Sequence, residues 1–99
     1  MLDFYLINDN QTKPSYPEQA NLKFVGALDE KTFGNLLDKK VIDSRFDYYS
    51  DFRLGISMVE QLLDTISKRK INSDIDIQPF VLMLNLAFKN NSGLIAYAD

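Results

Sequence analysis

Hydrophobic and polar positions along the chain predict strands near both of its ends. Residues 2–7 are rich in aromatic and β-favouring side chains and stop at a turn-forming Asn-Asp-Asn run at 8–10. Residues 22–28 alternate weakly between apolar and polar side chains, which favours a second strand. Residues 94–99 are short, apolar and preceded by Gly93, so we predict a last strand that pairs with the first one.

A polar stretch at 8–21 separates the first two strands. It contains Pro14 and Pro17 and is longer than most loops in compact domains. Long ordered loops are often functional, whereas an exposed and mobile excursion is the more common case. The sequence leaves both interpretations open.

Apolar residues at helical spacing predict two helices in the middle of the chain. The first begins after Asp29, whose carboxylate can cap it. Its apolar stripe consists of Phe33, Leu36 and Leu37, with Val41 as a further candidate. The second is predicted to run from a cap at Ser50 or Asp51 to about Arg69, so that the basic run 68–70 lies where the helix dipole favours positive charge. Its stripe steps by four residues through Leu54, Met58, Leu62 and Ile66.

A third helix is predicted to start near Ile77 or Gln78, because Pro79 is tolerated only in a first turn. Asp76 is the candidate cap. The run 80–88 is apolar on nearly every side, which is typical of a central, buried helix. A buried strand is the alternative, but the content of Leu, Met and Ala favours the helix.

These elements together predict an α+β fold with the order β, β, α, α, α, β. Three helices pack on a small sheet formed by the N-terminal and C-terminal strands. With 99 residues, 45% of them hydrophobic and twelve of them aromatic, the composition is that of one globular domain, 1–99.

The chemistry open to this chain is limited, because it contains neither histidine nor cysteine. It therefore lacks the commonest general base, the usual partner of a nucleophilic serine, and any thiolate metal ligand. We expect a protein that binds rather than catalyses, with no cofactor. The formal net charge of −3 argues against a nucleic-acid partner. Freedom from cysteine suits the cytoplasm, and no segment has the pattern of a signal peptide or a membrane span.

The densest group of binding-type side chains lies at 45–53, where four aromatics, two acids and two arginines share nine residues. Tyrosine and arginine are enriched at binding hot spots because they bury a large area and keep a polar end. We predict partner binding by Arg45, Asp47, Tyr48, Tyr49 and Asp51, with Tyr16 of the long loop in a helping role. The alternative is that Phe46 and Phe52 anchor this segment in the core while the tyrosines cover it.

A carboxylate site is the competing interpretation of the same region. Asp43, Asp47 and Asp51 are spaced by four, so in a helix they would share one face and could bind Mg²⁺ or act as an acid/base pair. The stretch has more the composition of a connector than of a helix interior, and Arg45 and Arg53 lie close enough in sequence to pair these charges.

At this segment the chain resembles small bacterial proteins of the immunity-protein type. Those proteins pair a Leu-Asp-Phe-Tyr opening, here 2–5, with an Arg-Phe-Asp-Tyr-Tyr-Ser-Asp-Phe centre, here 45–52, and a Ser-Gly-Leu-Ile-Ala-Tyr ending, here 92–97. A second likeness is to the colicin nuclease immunity proteins, which present adjacent tyrosines and acids to a basic toxin. The matching positions are Asp47, Tyr48, Tyr49 and Asp51. Because those proteins are all-helical, this second likeness is one of mechanism.

The function expected from the sequence is that of a non-catalytic protein-binding module. The resemblance implies an immunity protein that neutralises a toxin through an acidic, tyrosine-rich surface at 43–53. Two alternatives stay open: a small Mg-type enzyme that uses carboxylates, and an oligomeric accessory subunit whose interface is the apolar helix at 80–88.

Overall fold

The computed structural model describes residues 1–98, so Asp99 of the predicted last strand lies outside the described residues. The strands are β1 (Leu2–Ile7), β2 (Phe24–Leu28), β3 (Phe52–Leu54) and β4 (Gly93–Ala98). The helices are α1 (Glu30–Asp38), α2 (Ile56–Lys68) and α3 (Gln78–Lys89), and a 3₁₀ turn spans Pro17–Ala20. This arrangement confirms the predicted α+β fold, with one strand more than expected. Within residues 1–98 no helix is long and apolar enough to cross a bilayer.

The sheet is antiparallel and has the strand order β2-β1-β4-β3. The N-terminal and C-terminal strands pair along their whole length, from Leu2 opposite Ala98 to Ile7 opposite Gly93, as the sequence predicted. The strands β2 and β3 each add one edge to this central pair.

Strand β3 corrects the predicted start of the second helix. Residues 52–54 pair with β4 instead of forming a first helical turn. A three-residue strand is too short to display alternation, and Leu54 fits the four-residue spacing of the helix that follows. Helix α2 begins only at Ile56, and its first amide donates to the carboxylate of Asp9 at 3.1 and 3.3 Å. The cap is therefore supplied from the turn after β1, not by Ser50 or Asp51.

The main core lies between one face of the sheet and the three helices. Phe4 of β1 is at its centre, with ring centroids 5.9 Å from Phe52 and 6.3 Å from Phe80 in edge-to-face geometry. Fully buried side chains in this core include Phe4, Phe33, Phe80, Leu36, Ile66 and Leu84. All seven strands and helices contribute to this main core, which is consistent with one domain.

The three helices α1, α2 and α3 are each followed by a residue in the left-handed conformation. Lys40, Lys70 and Asn91 have φ values of 57°, 57° and 55°, in the left-handed region. At the end of α1 the amide of Val41 donates to the carbonyl of Leu36 at 2.9 Å, the long bond of a Schellman motif. Val41 is therefore buried just beyond the helix and not within its last turn, where the stripe had placed it.

Helix α3 starts at Gln78 with Pro79 in its first turn, as predicted, but it is not buried on all sides. The sheet side buries Phe80, Met83, Leu84 and Ala87, whereas Leu82 is 66% exposed and Phe88 is 55% exposed. Asp76 does not cap the helix, since its carboxylate accepts from Lys39 at 3.3 Å. Part of this helix therefore faces solvent, although the residues exposed there are apolar.

The long loop, residues 8–21, packs on the opposite face of the sheet. There Ile7, Ile95 and Tyr97 form a second, smaller core, and Leu22 packs against it. The hydroxyl of Tyr97 donates to the carbonyl of Pro14 at 2.8 Å. The guanidinium of Arg53 donates to the loop carbonyls of Asn8 and Gln11 at 2.9 and 2.8 Å, so it does not pair with the neighbouring acids. At least part of the loop's role is therefore structural.

Candidate partner-binding site

The connector from α1 to β3, residues 39–51, consists of turns stiffened by two of its own acids. The carboxylate of Asp43 accepts from the amide of Arg45 at 2.9 Å, and that of Asp47 accepts from the amide of Tyr49 at 3.1 Å. Both are Asx turns, in which a side chain replaces a backbone carbonyl as the acceptor. Local sequence thus fixes the backbone of this segment without a helix or a strand.

This geometry overturns the arrangement that the carboxylate interpretation required. Because 39–51 is not helical, Asp43, Asp47 and Asp51 do not share a helix face. In the part of the chain that the structure describes, no three acidic side chains converge in a way that could hold a metal ion. Asp43 and Asp47 instead accept hydrogen bonds within turns, and Asp51 accepts one at the edge of the sheet.

Aromatic anchors hold the connector against the core. Phe46 is half-buried, with its ring centroid 4.8 Å from that of Phe52, and Tyr48 lies 6.0 Å from Phe33. Anchoring by Phe46 and Phe52 is therefore correct, and Tyr48 joins them. Tyr49 is different, since it is 65% exposed and meets Tyr48 edge to face at 5.1 Å.

The exposed side chains of the connector supply its charged and hydrogen-bonding groups. The hydroxyl of Tyr49 donates a hydrogen bond to the carboxylate of Glu30, and this bond raises the pKa of Tyr49 because it favours the neutral phenol. The guanidinium of Arg45 lies 4.8 Å from the ring centroid of Phe46. Asp43 and Asp47 are exposed beside them. Residues 43–49 together with Glu30 are termed the ridge below.

Shallow grooves flank the ridge, and Phe46 lines two of them. The first, of about 370 Å³, has an apolar floor that includes Phe33, Leu37 and Phe46, with the carboxylates of Glu30 and Asp47 on its rim. The second, of about 400 Å³, separates the connector from α2. Its lining includes Ile42, Met58 and Leu62, with Lys40 and Arg45 at the rim. The first groove is therefore acidic, whereas the second is lined by two cations and by the acid Asp43.

Comparison with known proteins does not indicate a function for this chain. No family model, curated protein or solved structure matches the chain. The resemblance to immunity proteins through 2–5, 45–52 and 92–97 stays a prediction, and the function proposed below rests on the ridge and its grooves.

Two of the six predicted binding residues lie outside the ridge. Asp51 is at the sheet edge, where its carboxylate accepts from the amide of Ala98 at 2.8 Å and from Lys13 at 3.0 Å. Tyr16 is 55% exposed in the loop that covers the opposite face of the sheet. The structure thus brings together Arg45, Asp47, Tyr48 and Tyr49.

Glu30 is the ridge residue that sequence reasoning missed. In the sequence it is only an acid in the first turn of α1, a position that the helix dipole already explains. Its bond to Tyr49 spans nineteen residues, so no local pattern connects the two. Only the fold places this carboxylate beside the tyrosines.

The ion pair between Lys13 and Asp51 predicts a shift in acid stability. Burial opposes ionisation of Asp51, but the Ala98 amide and Lys13 outweigh it and lower the pKa of Asp51. A lowered pKa contributes stability above the unfolded value of about 3.9, and this contribution is lost as pH falls through the folded value. In Lys13→Met we expect the pKa of Asp51 to rise and the midpoint of acid unfolding, followed by circular dichroism, to move to higher pH.

The matched control is Lys89→Met, which removes the same charge from the end of α3. Its acid midpoint should stay closer to that of the wild type. Equal shifts in the two variants would mean that net charge, and not the pair, sets the acid limit.

Proposed function

We propose that this protein is a non-catalytic protein-binding module that contacts its partner through the ridge. The observation that carries the proposal is a stiff, aromatic and acidic segment standing between two grooves, with Tyr49 65% exposed at its crest. Exposed tyrosine beside concave surface is typical of binding hot spots. The chain is expected to act in the cytoplasm.

Preorganisation supports this proposal. The Asx turns at Asp43 and Asp47 and the anchors Phe46 and Tyr48 hold the ridge in one conformation before any partner binds. A surface that is already ordered loses little conformational entropy on association. Free energy from each contact then contributes to affinity instead of to ordering a loop.

Charge defines the chemistry of the partner. In the acidic groove, the alkyl stem of a lysine or arginine would lie on Phe33 and Leu37 while its cation reached Glu30 and Asp47. The face of Tyr48 would add a cation–π contact. A basic protein is therefore the partner class we propose, and the opposite charges would speed association.

A basic toxin is the specific partner we propose within this class, which would make the protein its immunity protein. Support comes from the resemblance in segments 2–5, 45–52 and 92–97 and from the acidic character of one groove. Coexpression with the product of the adjacent reading frame tests it: rescue of cell growth that Tyr49→Ala abolishes would favour it. Growth inhibition that persists beside the wild-type protein would count against the toxin hypothesis but not against protein binding.

Tyr49→Ala tests the binding surface itself. We expect the substitution to weaken the partner complex by about 2 kcal/mol, or roughly thirtyfold in Kd, because it removes an exposed aromatic from the centre of the ridge. The partner would first be captured on the wild-type chain and then titrated by calorimetry. Thermal melting should change little, because this side chain contributes little to the core.

Phe88→Ala is the matched control, since it removes an aromatic of similar exposure, 55%, from the far end of α3. Its complex should keep the wild-type Kd. If Tyr49→Ala binds as tightly as Phe88→Ala does, the ridge is not the contact surface.

A further inference from the structure

One edge of the sheet lacks two of the usual protections against pairing, a charged residue and a short length. The edge strand β2 contains the sequence Phe-Val-Gly-Ala-Leu at 24–28, with no charge and no proline. The opposite edge, β3, is only three residues long and carries Arg53. Short length and charge are devices by which proteins block open edges. The bulge opposite Phe4 and Tyr5 bends β2 but adds no charge to it.

Helix α3 places apolar surface beside the same edge. It lies against β2 so closely that a Cβ atom on Gly26 would be 2.9 Å from the sulfur of Met83. Leu82 and Leu86, one helical turn apart, are 66% and 37% exposed. These two exposed leucines, the flank of α3, stand on the helix that packs against β2, and exposed apolar surface marks interaction sites.

Within this flank, Leu86 lies on the side of α3 that faces away from α2. The groove between the two helices is lined by Val81 and Asn85 of α3, together with Leu63 and Ile66 of α2. Because residues on a helix advance by about 100° each, Leu86 lies well around the helix from Val81, towards the side of Met83. Leu86 is therefore turned away from the groove between α2 and α3.

Charges at the two ends of β2 indicate which molecule would pair with its free edge. Lys23 precedes the strand, Asp29 follows it, and both are exposed. In an antiparallel pair centred on Gly26, Lys23 of each copy lies opposite Asp29 of the other. The strand is therefore complementary to itself in charge as well as in apolar surface, which is the condition for an interface with twofold symmetry.

We propose that β2 pairs with β2 of a second copy of this chain in antiparallel orientation. The two four-stranded sheets would join into one, and the Leu82 and Leu86 flanks would face each other across the joint. This inference does not rest on the proposed function, because none of Lys23, Leu82 and Leu86 belongs to the ridge. If the chain did not form the dimer, partner binding through the ridge could still be tested, and the reverse also holds.

Sedimentation velocity over about 1 µM to 1 mM tests the dimer. The wild-type chain should sediment as a dimer at the upper concentrations, and the double variant Leu82→Glu, Leu86→Glu should weaken association by about a hundredfold or more. Phe88→Glu is the control, because the exposure of Phe88 lies between those of Leu82 and Leu86, and its position two residues from Leu86 puts it on the opposite side of α3. A wild-type chain that stays monomeric, or a double variant that associates like Phe88→Glu, would overturn the proposal.

A charge-exchange experiment tests the orientation. Lys23→Glu and Asp29→Lys should each associate more weakly than the wild type, because each places like charges together twice. An equimolar mixture should recover association, since the heterodimer restores both opposite-charge pairs. Asp29 also caps α1 through the amide of Thr32 at 2.7 Å, but a lost cap is not regained on mixing. A mixture that associates no better than its components refutes the antiparallel pairing.

Discussion

Gly93→Ala is expected to lower the free energy of unfolding by about 3 kcal/mol, near the upper end of what overpacking costs. A Cβ atom at this position would overlap the carbonyl oxygen of Leu54 and would lie 3.2 Å from both Asp9 Oδ1 and Gly55 Cα. A backbone carbonyl cannot rotate away as a flexible side chain can. The strand β3 and the cap of α2 must therefore shift together to admit one methyl group. Urea denaturation followed by circular dichroism measures the change.

Gly34→Ala is the matched control for the same chemical change. It lies inside α1, and nothing stands within 4 Å of a Cβ atom built there. Alanine should stabilise this helix by about 1 kcal/mol, because glycine loses more backbone entropy on folding. Opposite signs for the two variants are expected. A Gly93→Ala midpoint at or above the wild-type value would show that β3 and β4 tolerate a wider separation.

Phe4→Ala is expected to have the largest effect of any single truncation we consider, about 3–5 kcal/mol. The side chain is fully buried and meets the rings of Phe52 and Phe80 edge to face, so its removal loses apolar burial, aromatic contacts and packing on both sides. A domain of this size has a total stability of roughly 5–15 kcal/mol. The variant should thus be largely unfolded at moderate urea concentrations where the wild type is folded.

Phe88→Ala again supplies the comparison, because this ring is 55% exposed. Its unfolding free energy should stay within about 0.5 kcal/mol of the wild-type value. If Phe4→Ala were no more harmful than Phe88→Ala, the core would have to be centred elsewhere.

The parts of the fold that the sequence predicted are those whose pattern extends over five or more residues. Strand β1 and helix α1 have such patterns and end at clear turn or cap residues. Strand β3 could not be found in this way, because three residues show no period and Leu54 also fits the stripe of α2. The exposure of Leu82 to solvent could not be predicted either. A run without polar residues gives no indication of which side of a helix meets water.

The ridge was predictable where it is local and not where it depends on tertiary structure. Arg45 to Tyr49 are neighbours in the sequence, so their proximity needed no knowledge of the fold. Asp51 follows Tyr49 by two residues, but pairing of the next residue with β4 turns it towards Lys13. Glu30 and Tyr16 come from distant segments, so no local pattern could place either one relative to the tyrosines.

The central pairing of β1 with β4 has a consequence for how fast this domain folds. The N-terminal half of the chain supplies β2 and β1, the C-terminal half supplies β4 and β3, and the two halves meet along a single ladder. Closing a loop of nearly a hundred residues costs about 4 kcal/mol of chain entropy before that ladder returns any contact energy. High contact order of this kind slows the search for the transition state. We therefore expect the ladder from Leu2 to Ile7 to control the folding rate.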